Sequence, residues 1–199
     1  MARLAVDAGF DVVLSNSRGP ETLAALCADI GPGATAARRE ECAEAGDLVV
    51  ISTPLTAYAS LPAAALAGKV VLDTGNYYPE RDGRIGELES GELTGSEYLG
   101  RHIPGAQVAK VFNNIFFKHL LNLARPAGAG DRSYLPVAGD DSEAKSAVTA
   151  FLDAIGYGAV DDGALSVSWR QQPGTPVYGT PYGAFENEKG TPASETLIR

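Results

Sequence analysis

The chain has 199 residues, 45% of them hydrophobic and 21% charged, the composition of one folded domain with or without an appendage; disordered and collagen-like chains are excluded. Sixteen Lys and Arg against 25 Asp and Glu give a net charge of -9, so there is no global positive field for a polyphosphate backbone and no nucleic-acid partner is expected. Only Cys27 and Cys42 occur, with no CxxC neighbour and no nearby His, which argues for two half-buried thiols in a reducing cytoplasm rather than a disulfide or a zinc site. No apolar run approaches the roughly 20 residues that span a bilayer and no signal pattern opens the chain, so a cytoplasmic protein without membrane contact is expected.

Residues 1 to 9 carry apolar side chains at helical spacing and end on Gly9, suited to a left-handed cap, before an apolar strand over Phe10 to Ser15. Pro20 suits the first position of the next helix, where Leu23 and Leu26 share a face, and Gly31-Pro32-Gly33 stops it. A short extended piece at Ala34 to Ala36 and a charged helix from Arg38 to Ala45 follow. Asp47 to Ser52 then reads as a continuous apolar strand buried on both faces, broken by Pro54. Further strands are predicted at Lys69 to Asp73, Gln107 to Phe112, Tyr134 to Ala138 and Gly158 to Asp161. Helices are predicted around Ala57 to Leu66, Gly95 to His102, Ile115 to Leu123 and Ser142 to Ile155. This alternation predicts an α/β fold, a Rossmann-like doubly wound parallel sheet covered on both faces. After Asp162 one more helix over Leu165 to Gln172, carrying Trp169, precedes a Pro- and Gly-rich loop. Its Tyr178, Tyr182 and Phe185 imply that it folds over something, which divides the chain into a Rossmann-like domain at 1–162 and a C-terminal substrate or dimer segment at 163–199.

In dinucleotide-binding folds a carboxylate at the end of the second strand binds the ribose of NAD. Here that position reads Ser15-Asn16-Ser17-Arg18-Gly19, where the Ser17 hydroxyl can donate to a 2'-phosphate and the Arg18 guanidinium can pair with it. The cofactor indicated is NADP(H).

Four segments in order, Val12 to Leu23, Leu48 to Leu55, Val71 to Pro79 and Lys110 to Asn114, resemble the NADPH:coenzyme F420 oxidoreductase family. The resemblance implies an NADP-binding Rossmann protein passing hydride to a small-molecule acceptor, the deazaflavin coenzyme F420, within a homodimer. Carried over by position, Asn16, Ser17 and Arg18 would hold the 2'-phosphate, and Ser52, Thr53, Pro54 and Leu55 would line the cofactor's central path. Gly75, Asn76 and Tyr77, with Asn113 and Asn114, would lie by the nicotinamide and its ribose. Read without the family, Asn76 is turn chemistry before Pro79, and Asn113-Asn114 an N-cap for a helix starting at Ile115.

The family opens with a strand and a Gly-rich turn whose amides bind the pyrophosphate. This sequence opens inside the following helix. Gly31-Pro32-Gly33 follows a helix and lacks a donor at Pro32, and Gly128-Ala129-Gly130 lies in a loop, so neither replaces that turn. A start assigned too late is the expected explanation, and an open slot in the sheet is the expected consequence. Hydride transfer to a deazaflavin needs no protein acid or base, so no such residue is assigned. Reduction of a small carbonyl or imine would need a proton donor, for which Lys110, Lys118, His119 and Tyr77 are the candidates. His119 and His102 also read as core-edge or surface histidines, and Lys110 as a snorkelling or paired lysine. A non-catalytic NADP-binding remnant is the third reading.

Overall fold

The computed structural model describes all 199 residues. Helix α1 (Ala2–Asp7) turns at Gly9, whose φ of 90° favours a residue without Cβ, into strand β1 (Val12–Leu14). A 3-10 turn at Pro20–Leu23 leads into α2 (Ala24–Ile30), followed by β2 (Ala34–Ala36) and α3 (Arg39–Ala45). Strand β3 (Leu48–Ile51), a 3-10 segment at Leu55–Ser60, α4 (Ala63–Leu66) and β4 (Val70–Asp73) come next. Three helices, α5 (Pro79–Asp82), α6 (Gly86–Glu89) and α7 (Gly95–His102), precede β5 (Gln107–Lys110) and α8 (Phe117–Asn122). The chain then forms β6 (Tyr134–Gly139), α9 (Ser142–Ala154) and β7 (Gly158–Gly163). It ends with 3-10 turns at Leu165–Gln171 and Thr180–Tyr182 and with α10 (Glu195–Ile198).

The architecture is α/β and Rossmann-like, but the sheet is divided. Strands β1 and β2 form a parallel pair, and β3 to β7 a separate sheet in sequential order. In the register, Val12 N–H donates to Gly33 and Leu14 C=O accepts from Ala37, so the peptide groups of Val13 point toward the gap. The Cys42 thiol donates to the Val13 carbonyl there at 3.2 Å, satisfying an acceptor that a neighbouring strand would otherwise take. Side chains, not backbone pairing, attach the two-stranded unit: Ala5 lies in the main core and the Phe10 ring meets Phe151 edge-on at 5.4 Å.

Several expectations need correction. Strand β3 is an edge strand of its sheet, so Leu48 and Val50 are only half-buried and the run is not sealed on both faces. Strand β6 runs antiparallel to β5, so the sheet is mixed rather than all parallel. The helix expected over residues 57–66 is two pieces, because Pro62 lacks the N–H that would continue the first. Leu23 is buried but Leu26 is 45% exposed, because α2 covers only the two-stranded unit. Helices α5 and α6 lie in a stretch to which the sequence reading assigns no element.

Two cores flank the larger sheet. One joins Leu72, Ala109, Val111, Leu135 and Val137 to α9 through Val148 and Leu152. The other packs Val49, Ile51 and Val71 against Tyr58, Leu66, Leu99 and Ile103. Each fully buried aliphatic side chain contributes about 1.5–3 kcal/mol, enough to hold β4 and β5 as a rigid base for the loops at their C-terminal ends.

Candidate functional site

Parallel strands β3, β4 and β5 end at one edge, and the segments leaving β3 and β4 form a cleft of about 180 Å³. Ser52, Thr53 and Pro54 line it from β3, and Thr74, Gly75, Asn76, Tyr78 and Arg81 from β4. This is where open α/β sheets place their ligands. The Thr53 hydroxyl is buried with no partner in the chain, an exception to the rule that buried polar groups are hydrogen-bonded.

The floor is a buried ion pair. Asp73 and Lys110 are register partners at the ends of β4 and β5, with side chains 0% and 2% exposed and Lys110 Nζ 3.0 Å from Asp73 Oδ2. Asp73 Oδ2 also accepts from the Ser96 hydroxyl at 2.6 Å, and Asp73 Oδ1 from Gly75 N–H at 2.7 Å. Lys110 Nζ donates in turn to the Gly75 carbonyl. Tyr58 completes this floor, its phenol pushed up by burial and by the neighbouring Asp73 charge.

Asn76 and Asn113 are joined reciprocally: Asn76 Nδ2 donates to the Asn113 carbonyl at 2.9 Å and Asn113 Nδ2 to Asn76 Oδ1 at 3.1 Å. Phe112 makes this approach with a φ of 67°, a left-handed conformation rare for a bulky residue and frequent at functional sites. Asn113 Nδ2 also reaches the Gln171 carbonyl at 2.6 Å, and Asn114 Nδ2 the Val177 carbonyl at 3.0 Å, so both asparagines pin the C-terminal segment beside the cleft. They do not cap a helix, since α8 begins at Phe117 with Phe116 as its N-cap. Tyr78 and Tyr178 meet hydroxyl to hydroxyl at 2.5 Å, and burial first, then Tyr78, pushes the Tyr178 phenol up.

At the end of β1, Asn16 Oδ1 accepts from Arg18 N–H at 2.9 Å and Gly19 N–H at 3.0 Å, while its Nδ2 donates to Thr22 at 2.9 Å. Asn16 therefore shapes the turn, and the Arg18 side chain projects from it, exposed and without an ion pair.

Residues 1–77 match the family model described as NADP oxidoreductase, coenzyme F420-dependent. The chain is 31% identical to the rat (Rattus norvegicus) metalloreductase STEAP3 over 168 residues, covering 83% of this chain and 32% of that protein. It thus spans about a third of the length of this curated relative. A hypothetical protein of Sinorhizobium meliloti has a similar structure, with a TM-score of 0.74 at 26% identity over 88% of this chain and 85% of that one. A protein of Arthrobacter sp. FB24, provisionally described as an F420-dependent NADP reductase, shares the fold with a TM-score of 0.68 at 24% identity, over 84% and 80% of the two chains.

The cleft gathers Ser52, Thr53, Pro54, Gly75 and Asn76. Leu55 is instead buried in the core beneath it, and Tyr77 turns away, donating to the Gly83 carbonyl at 3.1 Å and accepting from Ile85 N–H at 3.0 Å. Lys118 pairs with Glu188, and the buried His119 donates from Nε2 to the Asn187 carbonyl at 2.8 Å. Both hold the C-terminal loop rather than facing the cleft. Reading the sequence missed Arg81, which donates to the Asn76 carbonyl at 2.6 Å and whose guanidinium carbon lies 5.1 Å from the centre of the Tyr78 ring. It also missed Asp73 and Ser96 as partners of Lys110. An aspartate ending an apolar strand in register with a strand lysine was the available signal. No group of His, Cys, Asp and Glu is placed to hold a metal ion, and no helix is long and apolar enough to cross a membrane.

Proposed function

We propose that the protein is an NADPH-dependent oxidoreductase that passes hydride to a planar deazaflavin acceptor of the coenzyme F420 type. The observation that carries this reading is that the four proton donors the sequence offers are all engaged by other groups of the chain. Lys110 is held by Asp73 and Gly75, Lys118 and His119 by the C-terminal loop, and the Tyr77 hydroxyl by backbone groups. Tyr178, with its phenol pushed up, is a poor acid. A site whose four candidate donors are held elsewhere suits hydride transfer between two rings, where the protein contributes position and water exclusion.

The residues fit NADP(H) at two places. Ser17 and Arg18 stand free at the turn after β1, and the unpartnered Thr53 hydroxyl and Asn113 Oδ1 lie by the loops after β3 and β5. When bound, the dihydronicotinamide supplies the hydride. Arg18 would neutralise the 2'-phosphate, while Thr53 and Asn113 would orient the reactive end and the Tyr78–Tyr178 contact would shield it from water. In this reading 163–199 supplies the wall against which the acceptor is placed.

The test is anaerobic oxidation of NADPH, followed at 340 nm, with coenzyme F420, with free flavins and with small cyclic imines as acceptors. The proposal expects F420 reduction whose rate is unaffected within about twofold by Lys118→Met. Turnover of imines alone would replace it with the carbonyl or imine reductase reading.

A further inference from the structure

We infer that the buried Asp73–Lys110 pair is a positioning device: it orients the Gly75 peptide, and through it Asn76, against the reactive end of the cofactor. The inference rests on the NADPH reading above. Its geometry concerns one peptide unit held from both ends. Gly75 N–H donates to Asp73 Oδ1 at 2.7 Å, and Gly75 C=O accepts from Lys110 Nζ. The two charges bond each other at 3.0 Å, and Ser96 supplies a further donor to the carboxylate at 2.6 Å. Both polar groups of Gly75 are thus turned inward, and the face of this residue lining the cleft carries no competing donor or acceptor. The next residue inherits that orientation. Asn76 is fixed by its reciprocal bonds to Asn113 and by Arg81 on its carbonyl.

Stability alone does not account for such an arrangement. A fully buried ion pair gives up the hydration of two ions, and well-packed apolar residues of similar size often serve the fold as well or better. Here the pair lies at the ends of neighbouring strands, beneath the loop that lines the cleft, and its remaining hydrogen bonds go to Gly75 of that loop and to Ser96. Gly75 is matched to it. A Cβ at this position would come 2.5 Å from the Tyr58 hydroxyl and 2.9 Å from Asp73 Oδ1, so only glycine brings the peptide this close to the carboxylate.

The decisive comparison uses three variants of the 199-residue chain: Lys110→Met, Asp73→Asn, and the two combined. Either single variant unbalances a buried charge and is expected to lower the unfolding midpoint. The double variant carries no charge there and is expected to recover most of that midpoint. It still leaves the Gly75 carbonyl without its ammonium donor. For the double variant we expect an NADPH Kd, by fluorescence titration, within about threefold of the parent. Hydride transfer measured in a single turnover should fall at least tenfold. With NADPH carrying deuterium at one C4 position, the parent should transfer from one face and the double variant should lose part of that selectivity. Amide hydrogen exchange at Gly75 and Asn76, measured without cofactor, should speed up by tenfold or more. A double variant that recovers its midpoint with transfer rate, facial selectivity and loop exchange all unchanged overturns the inference and leaves a merely structural pair. A parent chain that binds NADPH but reduces no acceptor counts against the proposed function instead, and the exchange measurement still decides whether the pair holds the loop.

Discussion

Replacing Arg18 with Ala removes a side chain that supports nothing else in the fold, so its effect on ligand binding can be read cleanly. The guanidinium is exposed and unpaired, while its backbone is fixed by Asn16 Oδ1 at 2.9 Å and followed by Gly19 with a φ of 105°. A hydrogen bond to a charged group contributes about 1.5–3 kcal/mol, which corresponds to a loss of roughly tenfold to 150-fold in NADPH affinity. The exposed position favours the lower half of that range, and the loss should shrink as salt screens the phosphate. Thermal unfolding with ligand reports it. Ligand at about 100 times Kd stabilises the folded state by about 2.7 kcal/mol, and a chain of this size shifts by about 2–4 °C per kcal/mol. The parent should therefore gain about 5–11 °C with NADPH at that ratio. Arg18→Ala at the same ligand concentration should gain only about 1–5 °C, and its response to NADH should not change. Arg18→Glu repels a 2'-phosphate and offers an acceptor to a ribose hydroxyl, so it should favour NADH. A variant retaining the full NADPH shift, or losing the NADPH and NADH shifts alike, would refute the assignment of Arg18 to the phosphate.

Two further outcomes follow from the same geometry. Gly75→Ala forces its new methyl group against the Tyr58 hydroxyl and Asp73, so it should cost about 1–3 kcal/mol of stability by overpacking and weaken NADPH binding; denaturant unfolding and titration check the two effects separately. Asp82, whose carboxyl is held below the ordinary carboxylate range chiefly by Arg81, gives a folded state that binds protons less readily than the unfolded chain. Its stabilisation is complete above the ordinary value of 3.8 and is lost as pH falls through the depressed one, so Asp82→Asn should flatten the acid limb of the stability profile there and lower the midpoint at neutral pH.

What the sequence disclosed depended on whether the signal was local. Helix α7 was legible to the residue, because Thr94 and Glu97 form a capping box and His102 precedes a Pro-Gly break. Gly9 and Gly31 marked their turns correctly, with φ of 90° and 120°. The end of β3 was legible because Pro54 cannot pair. Residues 79–89 were not, since α5 and α6 are single turns stabilised by Tyr77, Arg81 and Asp82 bonding across the loop, contacts with no period to detect. The reversed direction of β6 was equally hidden. A strand reads the same in either sense, so its own residues do not disclose which one forms.

The candidate site divides along the same line. Asn16, Ser17 and Arg18 form one contiguous turn, so their chemistry could be read from residue type, although Asn16 proves to build the turn that presents Arg18. Asn113 and Asn114 suggested either a cap or a ligand contact; the start of α8 at Phe117 excludes the cap, and long-range bonds tie the pair to Asn76, Gln171 and Val177. Lys110 carried the least local information. Its partner is 37 residues away, and the ordinary reading of a strand lysine is a snorkelling side chain. Sheet register places Asp73 beside it, and burial then requires the pair to satisfy itself within the protein. On the cleft side both charges hold the Gly75 peptide, so the floor of the site is fixed by strand pairing before any ligand arrives.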